Sequence, residues 1–139
     1  MVCKQLEHII AGYLWKVWDK NDWLYEGQHG FRPGYSCESQ VIIMCQDIVD
    51  SLDEGVSTDA IIKDFSKAFD LVPHDQLLMK LAASGVDSRV VVWVSEFLVG
   101  CTQRVRLGRQ LSKDVKVTSG VPQGRVLGPL LFLVYVNNI

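Results

Sequence analysis

The most apolar stretch of the chain, Val126 to Val136, is interrupted by Gly128 and Pro129 and stops at Asn137-Asn138. A membrane-spanning helix needs about 20 apolar residues, so this run is too short to cross a bilayer. It reads instead as a buried helix or strand of a soluble protein. With 139 residues there is room for one domain and little more. A chain of that size buries roughly two-thirds of the surface its unfolded state exposes. At 48% hydrophobic and 22% charged residues the composition is that of a packed protein, neither disordered nor fibrous.

Apolar periodicity predicts the other elements. Leu6, Ile9, Ile10, Tyr13, Leu14 and Val17 recur at helical spacing and predict an amphipathic helix over about Cys3 to Asp19. An irregular stretch from Asn21 to Tyr35 follows, in which Arg32-Pro33-Gly34-Tyr35 fits a turn with Pro second and a positive-φ Gly third. Ser36 is placed to cap a second helix with an inward stripe of Val41, Met44 or Cys45, Ile48, Val49 and Leu52, ended by Asp53-Glu54-Gly55. Thr58 to Asp64, with Ala60-Ile61-Ile62 at its centre, predicts a strand buried on at least one face. A third helix is expected from His74 to Ala83, with Leu77, Leu78 and Leu81 inward and Gly85 beyond its end. Asp87-Ser88 opens a fourth to about Leu98, where Trp93, Phe97 and Leu98 offset the poor helix propensity of four valines. Gln103 to Leu107 and Val115 to Thr118 alternate apolar and polar around Gly108 to Lys113, a β-hairpin. A loop, Ser119 to Gly124, leads to the last helix from about Val126. Helices mixed with a hairpin, without regular βαβ alternation, make the class α+β.

Fourteen Lys+Arg against sixteen Asp+Glu give a net charge of −2, which argues against a strongly basic free-standing nucleic-acid binder but leaves room for a local basic groove. Cys3, Cys37, Cys45 and Cys101 contain no C-x-x-C pair, and His8, His29 and His74 lie at no zinc-type spacing from them. Reduced thiols in an intracellular protein are expected. Residues 1–30 are interrupted by Lys4, Glu7, Lys16, Asp19, Lys20 and Asp22 and hold no signal peptide.

Four segments could carry chemistry. Asp64 ends the expected strand, where a carboxylate suits a hard cation, although on the local pattern alone a cap of the next helical turn by Asp64 or Ser66 is favoured. Ser119-Gly120-Val121-Pro122-Gln123-Gly124 precedes a helix N-terminus, where backbone N–H groups favour phosphate, but short Gly/Pro loops are commonly plain connections. Arg32 with His29 could meet a phosphate backbone or simply be solvated. Arg104, Arg106, Arg109, Lys113 and Lys116, with Asp114 the lone acid among them, form the one basic cluster; nucleic-acid contact and a solvent-facing strand side explain it equally well.

In order, Gln28-His29-Gly30-Phe31-Arg32-Pro33-Gly34-Tyr35-Ser36-Cys37-Glu38-Ser39-Gln40, then Asp64-Phe65-Ser66-Lys67-Ala68-Phe69-Asp70 with Val72-Pro73-His74, then Ser119 to Gly124 with Val126 to Phe132, resemble the reverse transcriptase of LINE-type (non-LTR) retrotransposons, with a jockey-like flavour. The resemblance runs from Cys3 to Ile139. It implies a partial right-hand polymerase fold, with 1–57 as fingers-side helices and template-contact loop and 58–139 as partial palm, copying RNA into DNA with Mg²⁺. In such a mechanism carboxylates hold two cations about 3.5–4 Å apart. By the resemblance, Asp64 is the first metal-binding aspartate and the Phe65 carbonyl a further ligand. The Lys67 and Ala68 amides face the triphosphate, and Phe69 is the aromatic gate against a ribose 2′-hydroxyl. Gln123 and Gly124 position nucleotide and template, while Gly30, Phe31, Arg32, Pro33, Gly34 and Ser36 lie near the template–primer. The implied partners are an RNA template, a DNA primer and deoxynucleoside triphosphates, with no membrane.

The chain also departs from that pattern. The Ala-Asp-Asp segment that supplies the second metal-binding pair does not occur in these 139 residues. Nor do the upstream finger strands, thumb or endonuclease, so a fragment without polymerase activity of its own is expected. Lys63 takes a normally apolar strand position, costly if buried and unpaired; Arg125 replaces a small serine, and Asn138 an aspartate. The last helix is expected to lack palm strands to pack on, leaving an exposed apolar patch and poor solubility or association. The alternative from another class is a non-catalytic module, co-opted by its host to bind RNA or protein.

Overall fold

A computed structural model of the protein describes residues 2–137, with side chains from Lys4 onward. Asn138 and the thiol of Cys3 therefore lie outside the described residues. The helices are α1 (Val2–Lys20), α2 (Cys37–Asp53), α3 (His74–Ala83), α4 (Ser88–Leu98) and α5 (Leu127–Val136), and the strands β1 (Thr102–Gln103), β2 (Arg106–Leu107), β3 (Gln110–Leu111) and β4 (Val115–Lys116). Mixed helices with small antiparallel strands agree with the α+β expectation. The chain divides into two compact units, one of residues up to Leu24 together with those from Lys67 onward, the other Tyr25–Ser66.

The first unit is built around α5. Apolar nearly all round, α5 buries Leu127, Gly128, Leu130, Leu131, Leu133 and Val134. It packs against α1 and α3, and α3 in turn against α4. Leu77 and Leu81 of α3, Val94 and Leu98 of α4, and Ile10, Leu14 and Trp18 of α1 complete this core. The expected apolar patch over α5 is thus absent, because helices rather than palm strands cover it. Both of its ends are closed by side chains from other helices. At the N-terminus the Glu7 carboxylate accepts from Val126 N (2.9 Å) and Leu127 N (3.5 Å). At the other end Lys80 Nζ donates to the carbonyls of Tyr135 (2.6 Å) and Asn137 (3.1 Å). An acid at the start and a cation at the end both oppose the helix dipole.

The inward face of α1 is rotated from the expected one. Leu6 and Ile9 are exposed, while Glu7, Ile10, Ala11, Leu14 and Trp18 are buried. Polar anchors choose that face: Glu7 reaches α5, and Trp18 Nε1 donates to Ser84 Oγ at 3.0 Å. The α3 and α4 boundaries match the expectation, and Asp87 caps α4 by accepting from Arg89 N.

The hairpin forms as predicted, in two ladders. Thr102 pairs with Lys116 and Gln103 with Val115, then Arg106 with Leu111 and Leu107 with Gln110. The register shifts by one between them, so one extra residue sits on the returning strand, as in a β-bulge.

In the second unit the Arg32–Tyr35 turn closes as expected, with Tyr35 N donating to Arg32 O at 3.2 Å and Gly34 at φ +81°. Ser36 caps α2 in a capping box with Ser39. Two expectations fail here. No residue of α2 is buried, and Ile48 alone of its expected stripe is half-buried. The 58–64 segment forms no strand; Ile61 and Ile62 are 83% and 88% exposed, and Lys63 is exposed too, at no desolvation cost. A strand exists only where a second backbone satisfies its N–H and C=O groups, and no described segment pairs with this one.

Candidate nucleotide and template site

The functional residues of the first unit follow the 58–64 segment. Residues 66–70 form a turn, not a helix, so neither Asp64 nor Ser66 has a helical turn to cap. Lys67 sits at φ +51°, and its carbonyl accepts from Asp70 N (2.9 Å) and Leu71 N (3.1 Å). A left-handed backbone at a non-glycine residue is costly unless its surroundings hold it. The next residue but one, Phe69, stacks on Phe132 of α5 with centroids 4.6 Å apart and planes at 22°.

The Ser119–Gly124 loop is laced onto that turn. Gly120 N donates to Val72 O and Val121 N to Phe69 O, both at 2.8 Å. Ser119 Oγ donates to Asp70 O at 2.9 Å, and His74 Nε2 lies 2.8 Å from Gly120 O. Glycine is required at 120 on two grounds. Its φ is +90°, and a Cβ there would lie 2.8 Å from the carbonyl oxygens of Phe69 and Asp70. At Gly128 a Cβ would lie 2.2 Å from Pro122 O, so α5 approaches the loop backbone closely. Two sequence motifs some fifty residues apart are thereby one piece of structure, with Gln123 and Gly124 exposed at its rim.

A cleft of about 800 Å³ opens beside this junction. Lys67, Asp70 and His74 line it from the turn side, Gln103 and Lys116 from the hairpin, and Ser119 to Gln123 from the loop. Two lysines against one aspartate favour an anionic guest.

The loop-to-α5 step is held by a contact that sequence reasoning missed. Glu7 is 1% exposed and pairs with Arg125 at 3.1 Å, so the arginine that stands in place of a small serine has a structural partner. The signal was present: an acid at the centre of an apolar helix face must find a donor.

The predicted template-side residues and Asp64 belong to the second unit. There the Arg32 guanidinium lies over the Tyr35 ring (4.6 Å), while its Nη1 donates to Tyr25 O at 3.2 Å. Buried His29 bonds Ser39 Oγ through Nδ1 at 2.7 Å and meets Tyr35 edge-on. Arg32 and Ser36 therefore shape the turn, and Phe31, Pro33 and Gly34 are what it exposes. Hydrogen bonding to the Ser36 side chain, together with a backbone amide, holds the exposed Glu38 carboxyl below its usual range.

Asp64 and Phe65 are exposed. Among the described residues no group of three or more His, Cys, Asp or Glu side chains could hold a metal ion. A single carboxylate does not hold a pair of Mg²⁺ ions, each of which takes six oxygen ligands. Cys37, Cys45 and Cys101 are unpaired thiols, and no helix of the described residues is long and apolar enough to cross a membrane.

The turn, the glycine-locked loop and α5 carry, in order, motifs of the reverse transcriptase class. The family described as reverse transcriptase (RNA-dependent DNA polymerase) matches residues 1–139, and the chain belongs to that family, in its LINE-type, non-LTR branch. It is 32% identical over 136 residues to the probable RNA-directed DNA polymerase from transposon BS of Drosophila melanogaster, covering 98% of this chain and 15% of that protein. From the same organism, the corresponding protein of transposon X-element is 28% identical over 138 residues, 99% of this chain and 15% of its own length. The RNA-directed DNA polymerase from mobile element jockey is 27% identical over 136 residues, 98% of this chain and 15% of the relative. The chain thus spans about 15% of the length of these curated relatives.

Proposed function

We propose that these residues form the fingers-side and palm portion of a right-hand, RNA-directed DNA polymerase, 1–57 on the fingers side and 58–139 in the palm. The lacing of the Ser119–Gly124 loop onto the Lys67–His74 segment carries this reading. It brings Lys67 and Gln123 to one cleft, where, with Gly124 and the Ala68 amide, they would grip a deoxynucleoside triphosphate. Phe69, held by its stack on Phe132, would serve as the aromatic gate against a 2′-hydroxyl that the resemblance implies. Gly30, Phe31, Arg32, Pro33, Gly34 and Ser36 form a preshaped turn for the template–primer.

Asp64 and the Phe65 carbonyl would contribute ligands to Mg²⁺ together with carboxylates outside these residues. On their own they do not assemble the metal pair that primer extension needs. The 139-residue chain is expected to show no extension on an RNA template with Mg²⁺ and deoxynucleotides. Template-dependent extension abolished by Asp64→Ala would overturn that expectation. The nucleotide reading is tested by calorimetric titration of the chain with a deoxynucleoside triphosphate. Gln123→Ala is expected to weaken binding by about tenfold, the worth of one good hydrogen bond to a charged ligand. No binding, or binding indifferent to this change, would sink the reading.

A further inference from the structure

We infer that the hairpin from Thr102 to Val117 is a second, nucleotide-independent contact surface, and that its occupant is the phosphate backbone of single-stranded RNA. The register puts Arg104 opposite Asp114 and joins them in an ion pair, which neutralises one cation. Arg106, Arg109, Lys113 and Lys116 have no acidic partner in an ion pair among the described residues, and all are exposed. Four net positive charges are therefore concentrated on one ribbon of a chain whose total is −2. Side chains alternate across a strand, so Arg104 and Arg106 share one face with Lys116, about 6.7 Å apart along the strand. Val105 and Leu107, 72% and 81% exposed, lie on the other, while Leu111, 57% exposed and paired with Arg106, shares the basic face. That the polyanion is RNA, and not an acidic protein, rests on the polymerase reading above. The surface itself does not: Lys116 also lines the cleft, but Arg106, Arg109 and Lys113 do not.

The test is fluorescence anisotropy of a labelled single-stranded RNA with the 139-residue chain at two salt concentrations. Four phosphate contacts at a slope of about −0.7 each predict about 50-fold weaker binding between about 50 and about 200 mM salt. Arg106→Gln with Arg109→Gln should reduce that loss to about sevenfold and weaken binding at low salt, leaving nucleotide titration unchanged. Arg106 Nε also donates to Gly108 O and so helps hold the turn. If thermal melting shows the first pair misfolded, Arg109→Gln with Lys113→Gln gives the same readout. RNA affinity and salt slope unchanged in a folded double variant would overturn the inference while leaving the nucleotide reading intact. Equal or tighter binding to phosphatidylserine vesicles or polyglutamate would overturn it too. Hairpin-dependent RNA binding without nucleotide binding would uphold it and sink the nucleotide reading instead.

Discussion

The two units of the molecule contain helices of similar sequence quality and opposite fate. α1 and α2 both carry apolar residues at helical spacing, and both form over nearly the predicted span. In the first unit α1 buries Leu14 and Trp18 completely, with α5 lying against it. In the second, α2 is a well-capped helix that buries nothing. Amphipathic periodicity therefore reports helical competence, and only a neighbouring apolar surface turns it into stability.

The widest separation between the units should appear on truncating one leucine in each. Leu131→Ala, fully buried in α5, is expected to cost about 3 kcal/mol of unfolding free energy by urea denaturation, the usual range for a cavity in a packed core. Leu52→Ala in α2, 67% exposed, should change it by under about 0.5 kcal/mol. A large loss at Leu52 would mean that α2 is buried in solution and would break the contrast. Gly120→Ala comes next. Its positive φ and the two carbonyl oxygens in the way predict about 2 kcal/mol of destabilisation together with loss of deoxynucleotide binding.

Smaller again is Glu7→Gln, which keeps an acceptor oxygen near Val126 N but removes the charge facing Arg125 and the α5 N-terminus. It should cost about 1.5 kcal/mol, seen as a lowered denaturation midpoint with an unchanged slope. A neutral result would show that another group caps α5. The smallest effect concerns pH. Arg89, hydrogen-bonded to Asp87 at the start of α4, holds that exposed carboxyl down at about 2, against an ordinary value of 3.8. Because the folded value is the lower one, this contribution is complete above the ordinary value and is lost as pH falls towards 2. Arg89→Ala should flatten a shallow decline in melting temperature between about pH 4 and about pH 2.

How much was legible depends on the range of the interaction concerned. The α3 and α4 boundaries, the Ser36 cap, the Arg32–Tyr35 turn and the hairpin are decided within a few residues, and they stand as read. The 58–64 strand was misread because β structure is a property of two segments, and an apolar run names only one. The inward face of α1 lies about one residue round from the periodic one because Glu7 is buried in it. Its partners lie well over a hundred positions away. The same distance hid the coverage of α5 by helices, and with it the absence of the exposed patch expected there. At the candidate site, Gln123, Gly124 and Phe69 were named from their motifs, but nothing local says that Gly120 must pass between two carbonyl oxygens of the other motif.

Family membership and the local helical and turn segments were settled by residue order alone, since motif identity, capping and periodicity depend on near neighbours. Which apolar faces are buried, what partners Glu7 and Lys80 find, and how two distant loops become one cleft were settled only by the tertiary structure. Burial, charge pairing and backbone complementarity are relations between segments, and a linear pattern describes each segment singly.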